Sequence, residues 1–199
     1  MKTYLALGDS YTIGEQVLIT ESFPYQLVQL LRQKNIEIAA PEIIAKTGWA
    51  TDELLAAVND YRFLKKYDFV SLLIGVNNQY RGKTIAAYEI EFEILLKKAI
   101  VLGGNISVNV FVLSIPDWGV TPFATEKDTA TIATEIDAFN AACKKITLLY
   151  HCTFIEITSA QREDVNKSEM LASDVLHPSP KEYAKWAQLL MDHYQLSIK

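Results

Sequence analysis

Short apolar runs alternate along the chain with longer segments whose apolar residues recur every three or four positions. Tyr4-Leu5-Ala6-Leu7 reads as a short buried strand. Phe69-Val70-Ser71-Leu72-Leu73-Ile74 is nearly continuous in apolar residues, as a central parallel strand should be. Further strands are expected from Ile36 to Ala45, from Val108 to Ile115 and from Thr153 to Ile157. Helical stripes lie between them. Phe23, Leu27, Leu30 and Leu31 make one face, with Ser22 as a cap and Pro24 in the first turn. Leu54, Leu55 and Val58 follow Thr51, a second candidate cap. A long helix from about Ile85 to Leu102 carries Tyr88, Phe92, Leu95, Leu96 and Ala99 inward and stops at Gly103-Gly104. Ile132, Ile136, Phe139, Cys143 and Ile146 mark a single face of the next helix. A polar stretch from Thr158 to Ser173 is expected to cross the surface. The last helix opens on Ser179-Pro180-Lys181-Glu182, a capping box with proline at the first helical position. It buries Tyr183, Trp186, Ala187, Leu190, Met191 and Tyr194.

This alternation predicts an α/β fold: a five-stranded parallel sheet with helices on both faces. Proline cannot donate to a sheet ladder, so Pro41 puts the second strand at an edge. The order 2-1-3-4-5, that of flavodoxin-like sheets, is compatible with that edge. It sets the ends of strands one and three side by side, at the switch point where such sheets bind ligands. No repeat, low-complexity run or linker interrupts the sequence, so residues 1–199 are expected to form a single domain.

Composition narrows the function classes. Half of the residues are apolar and 22% are charged, which suits a packed core and not a disordered chain. The net charge of −5 and the lack of a basic patch argue against nucleic acid as a partner. No apolar run approaches the ~20 residues that span a bilayer, so no stable membrane insertion is expected. The N-terminus enters a strand at once with no signal peptide, which reads as cytoplasmic unless a leader has been removed. Cys143 on a helical stripe and Cys152 at the start of a strand read as buried thiols; a disulfide is the lesser alternative and a metal site the least. The oligomeric state stays open.

The candidate chemistry starts at Gly8-Asp9-Ser10, where the first strand stops and Tyr11 to Glu15 shows no strand or helix period. A serine hydroxyl is a poor nucleophile until a base removes its proton. His177 is the candidate base, and Asp174, three residues earlier, the candidate acid that orients it. A tight turn would bring the carboxylate to Nδ1 and leave Nε2 facing Ser10. Taken alone, the pair reads equally as ordinary polar residues near a helix start. His151 and His193 have no carboxylate at comparable spacing and read as structural or solvated. Acyl transfer also needs donors for the oxyanion. The candidates are the N–H of Ser10, the N–H of Gly48 after the second strand, and the Asn77 amide after the third. Singly, Gly48 reads as a turn glycine and Asn77 as a loop brace. Asp9 is expected to hold its loop through backbone N–H groups, with no catalytic role. Tyr80, Trp118 and Phe123 lie after strands three and four, where they either line the mouth of the site or pack their own loops.

These pieces, in this order, resemble the SGNH hydrolases, or GDSL-type esterases and lipases. Gly8-Asp9-Ser10 is similar to the family's first block, Gly48 to the glycine of the second, Gly75-Val76-Asn77-Asn78 to the third and Asp174-Val175-Leu176-His177 to the last. The resemblance spans positions 8 to 177. It implies a flavodoxin-like three-layer α/β/α sandwich, no metal and no cofactor. It implies Ser10 as nucleophile, His177 as base, Asp174 as orienting acid, and an oxyanion hole from Ser10, Gly48 and Asn77. The departure is Asn78, where the family more often has aspartate. The expected activity is hydrolysis of a small carboxylic ester with a short acyl group. A lysophospholipase, a thioesterase or a carbohydrate deacetylase would use the same residues. Outside the hydrolases stand a flavodoxin-like binding module and an inactive scaffold. The Ser10 segment lacks the Lys-Ser/Thr of a P-loop, and a binding module leaves Asp174 and His177 unexplained.

Overall fold

In the computed structural model, which describes residues 1–164 and 167–197, Pro41 stands immediately before strand β2 (Glu42–Ala45), and β2 forms an edge of the sheet. The other strands are β1 (Tyr4–Gly8), β3 (Phe69–Leu73), β4 (Val110–Leu113) and β5 (Thr153–Ile155). All four pairings are parallel and the order is β2-β1-β3-β4-β5, as expected. The strands are shorter than the apolar runs that announced them. Residues 36–41 reach the sheet only through a bridge between Ile38 and Lys2, and Ile115 is buried beyond the end of β4.

Every residue of β1, β3 and β4 is buried, so both faces of the sheet must be covered. The long helices are α2 (Phe23–Gln33), α3 (Thr51–Asp60), α5 (Ile85–Leu102), α6 (Thr129–Leu149) and α8 (Pro180–Ser197); the short ones are α1 (Ser10–Ile13), α4 (Val76–Tyr80) and α7 (Thr158–Asp164). Helices α2 and α8 pack on each other, while α5 packs between α3 and α6. Phe69 in the middle of the sheet stacks on Tyr4, meets Phe111 edge-on and touches Tyr194 of α8. Tyr88 of α5 packs on Phe139 of α6 with ring centroids 4.9 Å apart. Ser71, the one polar position of β3, pairs its hydroxyl with that of Tyr4 at 2.7 Å, so its burial leaves nothing unsatisfied.

Several local expectations are corrected. Thr51 does not cap α3: the cap is Ala50, whose N–H goes to the Glu53 carboxylate at 2.9 Å, and Thr51 turns inward. Ser22 occupies the cap position of α2, but its hydroxyl bonds back to the Ile19 carbonyl at 2.8 Å. The capping box at Ser179 is half made. Ser179 accepts from the Glu182 N–H, while the Glu182 carboxylate takes the buried Trp186 indole N–H at 3.0 Å. The polar stretch after Thr158 contains α7 and a short turn at Ser168–Met170, with positions 165 and 166 outside the described residues. Its polar residues point inward to distant partners: Thr158 to Ser114 at 2.7 Å and Gln161 to the Asp117 backbone at 2.9 Å. Cys143 and Cys152 are free and buried, and burial pushes their thiols up to about 12 and about 11, far from thiolate chemistry at neutral pH. Among the described residues, no helix is long and apolar enough to cross a membrane.

Candidate active site

Gly8 lets the chain leave β1 toward the site. A Cβ there would lie 2.1 Å from Thr12 Oγ1 and 2.5 Å from the Leu73 carbonyl, so a side chain would force β1 away from β3 or from the turn that follows. That turn is helical, where an irregular loop was expected. Asp9 caps it by accepting the Tyr11 N–H at 3.0 Å, and Ser10 is the first residue of α1. The cap is what makes so short a helix possible; four residues are too few to show a hydrophobic period.

Asp174 builds the opposite wall. Its Oδ1 accepts the N–H groups of Leu176 at 3.1 Å and His177 at 3.0 Å, which curls the chain into a tight turn. Val175 adopts φ +55° within it, a costly backbone for a β-branched residue. The turn leaves Asp174 Oδ2 2.5 Å from His177 Nδ1, and His177 Nε2 3.0 Å from Ser10 Oγ. Burial alone would raise the Asp174 carboxyl, but the hydrogen bonds from the His177 ring and from the two backbone N–H groups outweigh it. The group is held below the ordinary carboxylate range. Ser10 is 4% exposed and His177 7%, and the imidazole packs beside the Tyr11 ring. An ionised acid thus faces one nitrogen of the ring and a hydroxyl the other, the arrangement that lets an imidazole take a proton from serine.

Gly48 and Asn77 line the same cavity as Ser10 and His177. Gly48 has φ +83°, in the left-handed region that favours glycine. Asn77 and Asn78 lie on α4, again a short helix where a loop was expected. Asn77 Nδ2 donates to the Trp49 carbonyl at 3.1 Å, and the same side chain also acts on the Asp9 carboxyl behind Ser10. Two residues that sequence reasoning did not single out hold this loop. Arg81 donates to the Gly48 carbonyl and pairs with Glu53 at 2.9 Å, and Glu53 also takes the Ala50 N–H. The available signal was spacing: Arg81 follows Asn77 by four, one helical turn along the same face.

Tyr80, Trp118 and Phe123 all line the cavity, which encloses about 210 Å³. Trp118 is buried and meets Tyr80 and Phe123 edge-on, with centroids 5.2 and 6.1 Å away, while those two stand half-exposed at the mouth. A third overlooked residue, Gln79, fixes the indole. It accepts the Trp118 N–H at 2.7 Å and donates to Glu135 at 2.7 Å. His151 and His193 take no part in the cavity.

Asp9 is fully buried behind Ser10, and Oδ2 of its carboxylate has no hydrogen-bond partner. Burial pushes this carboxyl up to about 7, against the lowering effect of the Tyr11 N–H and the Asn77 side chain. The folded value lies above the unfolded one, so ionising Asp9 costs folding free energy, on the order of 4 kcal/mol once the pH is above both values. The cost is absent below about pH 4 and grows between pH 4 and 7. Asp9→Asn keeps the cap acceptor without the charge. It is expected to raise the melting temperature at pH 8 and to change it little at pH 4. Parallel melting curves for the two proteins across that range would remove the buried-charge account.

Three comparisons bear on this site. A family model described as GDSL-like Lipase/Acylhydrolase matches residues 6–185. A comparison of the sequence with curated proteins finds no match. Among solved structures, a lipase/acylhydrolase from Enterococcus faecalis is 20% identical with a TM-score of 0.77, over 99% of this chain and 96% of that one. Axe2, an acetylxylan esterase from Geobacillus stearothermophilus, is 18% identical with a TM-score of 0.73, over 99% and 94%. The psychrotrophic esterase EstA from Pseudoalteromonas sp., in a structure inhibited by monoethylphosphonate, is 17% identical with a TM-score of 0.66, over 100% and 97%.

Proposed function

The chain belongs to the GDSL-like lipase/acylhydrolase family and is a hydrolase acting on ester bonds, and on that premise we propose that it is a serine esterase that cleaves a short-chain carboxylic ester through an acyl-enzyme on Ser10. The observation that carries this reading is the unbroken chain from Asp174 Oδ2 through the His177 ring to Ser10 Oγ, with links of 2.5 and 3.0 Å.

An ester carbonyl enters the cavity above β1 and β3. His177 Nε2 takes the Ser10 proton as Oγ attacks, and Asp174 balances the imidazolium that forms. The oxyanion takes hydrogen bonds from the Ser10 and Gly48 N–H groups and the Asn77 amide. The imidazolium returns its proton to the leaving alcohol. A water, deprotonated by His177, then attacks the acyl-enzyme, releasing the acid and restoring Ser10. The acyl group lies against Trp118, Tyr80 and Phe123. A cavity of about 210 Å³ falls below the ~300–1,000 Å³ usual for drug-sized ligands, which favours a short acyl group over a long lipid chain.

The test is turnover of p-nitrophenyl acetate, butyrate and octanoate by the purified protein. Acetate and butyrate are expected to be cleaved well and octanoate poorly. A maximum on octanoate would overturn the short-acyl assignment. No turnover of any ester, together with no labelling by a fluorophosphonate probe, would overturn the serine-esterase reading.

A further inference from the structure

Asn78 and Thr51 are both fully buried and meet through two hydrogen bonds. Asn78 Oδ1 accepts the Thr51 N–H at 3.1 Å, and Asn78 Nδ2 lies 2.6 Å from Thr51 Oγ1. The same Thr51 hydroxyl bonds to the Glu91 carboxylate on α5. The ends of this chain fix its direction. A backbone N–H can only donate, so the oxygen of the Asn78 amide faces it and the NH₂ faces the hydroxyl. That hydroxyl, already accepting from Asn78, sends its own proton to Glu91. Each hydrogen bond of the relay thus has one possible direction.

The relay joins the two segments that carry the proposed oxyanion donors. Thr51 follows the Gly48-Trp49-Ala50 loop directly, and Asn78 follows Asn77. Asn77 adds its own bond to the Trp49 carbonyl at 3.1 Å. We infer that Asn78, Thr51 and Glu91 are positioning residues that set the separation of the Gly48 N–H and the Asn77 amide, with Glu91 imposing the direction of the relay from outside the cavity. This rests on the esterase reading above. None of the three is among the residues lining the cavity.

The direction has a chemical consequence. Asn78→Asp puts two carboxylates on either side of one hydroxyl proton. Thr51 can serve only one of them, and the other loses its donor in a buried site. Glu91→Gln alone keeps an amide oxygen to accept from Thr51. In the double variant the relay can run backwards: the Gln side chain donates to Thr51, and Thr51 donates to Asp.

The experiment compares wild type, N78D, E91Q and N78D/E91Q by kinetics on p-nitrophenyl acetate and by thermal unfolding. N78D is expected to lower kcat roughly tenfold or more with KM within about twofold. E91Q is expected to stay within about threefold of wild type, and the double variant to regain most of the kcat that N78D loses, a non-additivity only coupled residues show. The melting temperature should fall in N78D and recover in the double variant. Wild-type kcat in N78D, or a double variant no better than N78D, would overturn the inference. Recovery of melting temperature without recovery of kcat would reduce the relay to a structural brace and overturn its positioning role. If wild type turns over no ester and takes no fluorophosphonate label while the melting temperatures still show the rescue, the esterase reading fails and the hydrogen-bond relay stands.

Discussion

Ser10→Ala is expected to lower kcat on p-nitrophenyl acetate by roughly 10⁶-fold, the scale of nucleophile removal in a serine protease whose residues act as a unit. The variant should fold normally. The side chain is buried and its hydroxyl bonds to His177; losing one oxygen removes that bond and creates almost no cavity. Stability should therefore change by about 1 kcal/mol or less. The check is a single-turnover assay beside a fluorophosphonate label read by intact mass: one adduct on wild type and none on the variant. Activity above about a tenth of wild type would place the nucleophile elsewhere. The cysteines are poor substitutes, since burial raises both thiols far above neutral pH.

Asp174→Asn is expected to lower kcat by roughly 10⁴-fold with KM nearly unchanged, the signature of a wrong tautomer in an intact site. Asn Oδ1 can still accept the Leu176 and His177 N–H groups, which Asp174 holds at 3.1 and 3.0 Å, so the turn survives. The change falls on the other oxygen, 2.5 Å from Nδ1. An NH₂ there faces a ring nitrogen that must now accept, so the ring carries its proton on Nε2. A protonated Nε2 cannot take the Ser10 proton. Circular dichroism should match wild type while turnover collapses; a loss under about tenfold would show that Asp174 does not orient the base. The same carboxyl also has a stability signature. Its folded value lies below the unfolded one, so its contribution is present above about pH 4 and fades as the pH falls through the folded value. Asp9 has the opposite sign and costs stability as the pH rises toward 7. The two carboxyls are therefore separable by acid titration of their asparagine variants.

How much of the fold shows in the sequence depends on how local each signal is. Strands β1 and β3 were visible because strands covered on both faces need apolar residues at nearly every position. Helix α6 was visible because one inward face repeats over 21 residues. The short helices α1 and α4 were not visible. At four and five residues they lack a period; the Asp9 cap holds α1, and the burial of Val76, Asn78 and Gln79 holds α4. Helix α7 was hidden for another reason: Thr158 and Gln161 satisfy groups 44 residues away, so their polarity pointed to the surface while their partners lay inside.

The sequence by itself determined the α/β class, announced an edge for the second strand and put Asp174 and His177 within one turn of each other. These rest on local signals: apolar runs, and a carboxylate three positions before an imidazole; the order at the β2 edge matches the expectation, although Pro41 stands outside the strand and takes no part in its ladder. Only the tertiary structure decided what those residues meet. Ser10 and His177 are 167 residues apart, and their 3.0 Å contact comes with the packing of α8 on α2, where Gln26 donates to the Pro180 carbonyl at 2.9 Å. Arg81 on the Gly48 carbonyl, Gln79 on the Trp118 indole and Glu91 behind Thr51 are likewise long-range partners. A hydrogen bond between distant segments is paid for by the packing of the whole fold, so it leaves no periodic trace in the residues that make it.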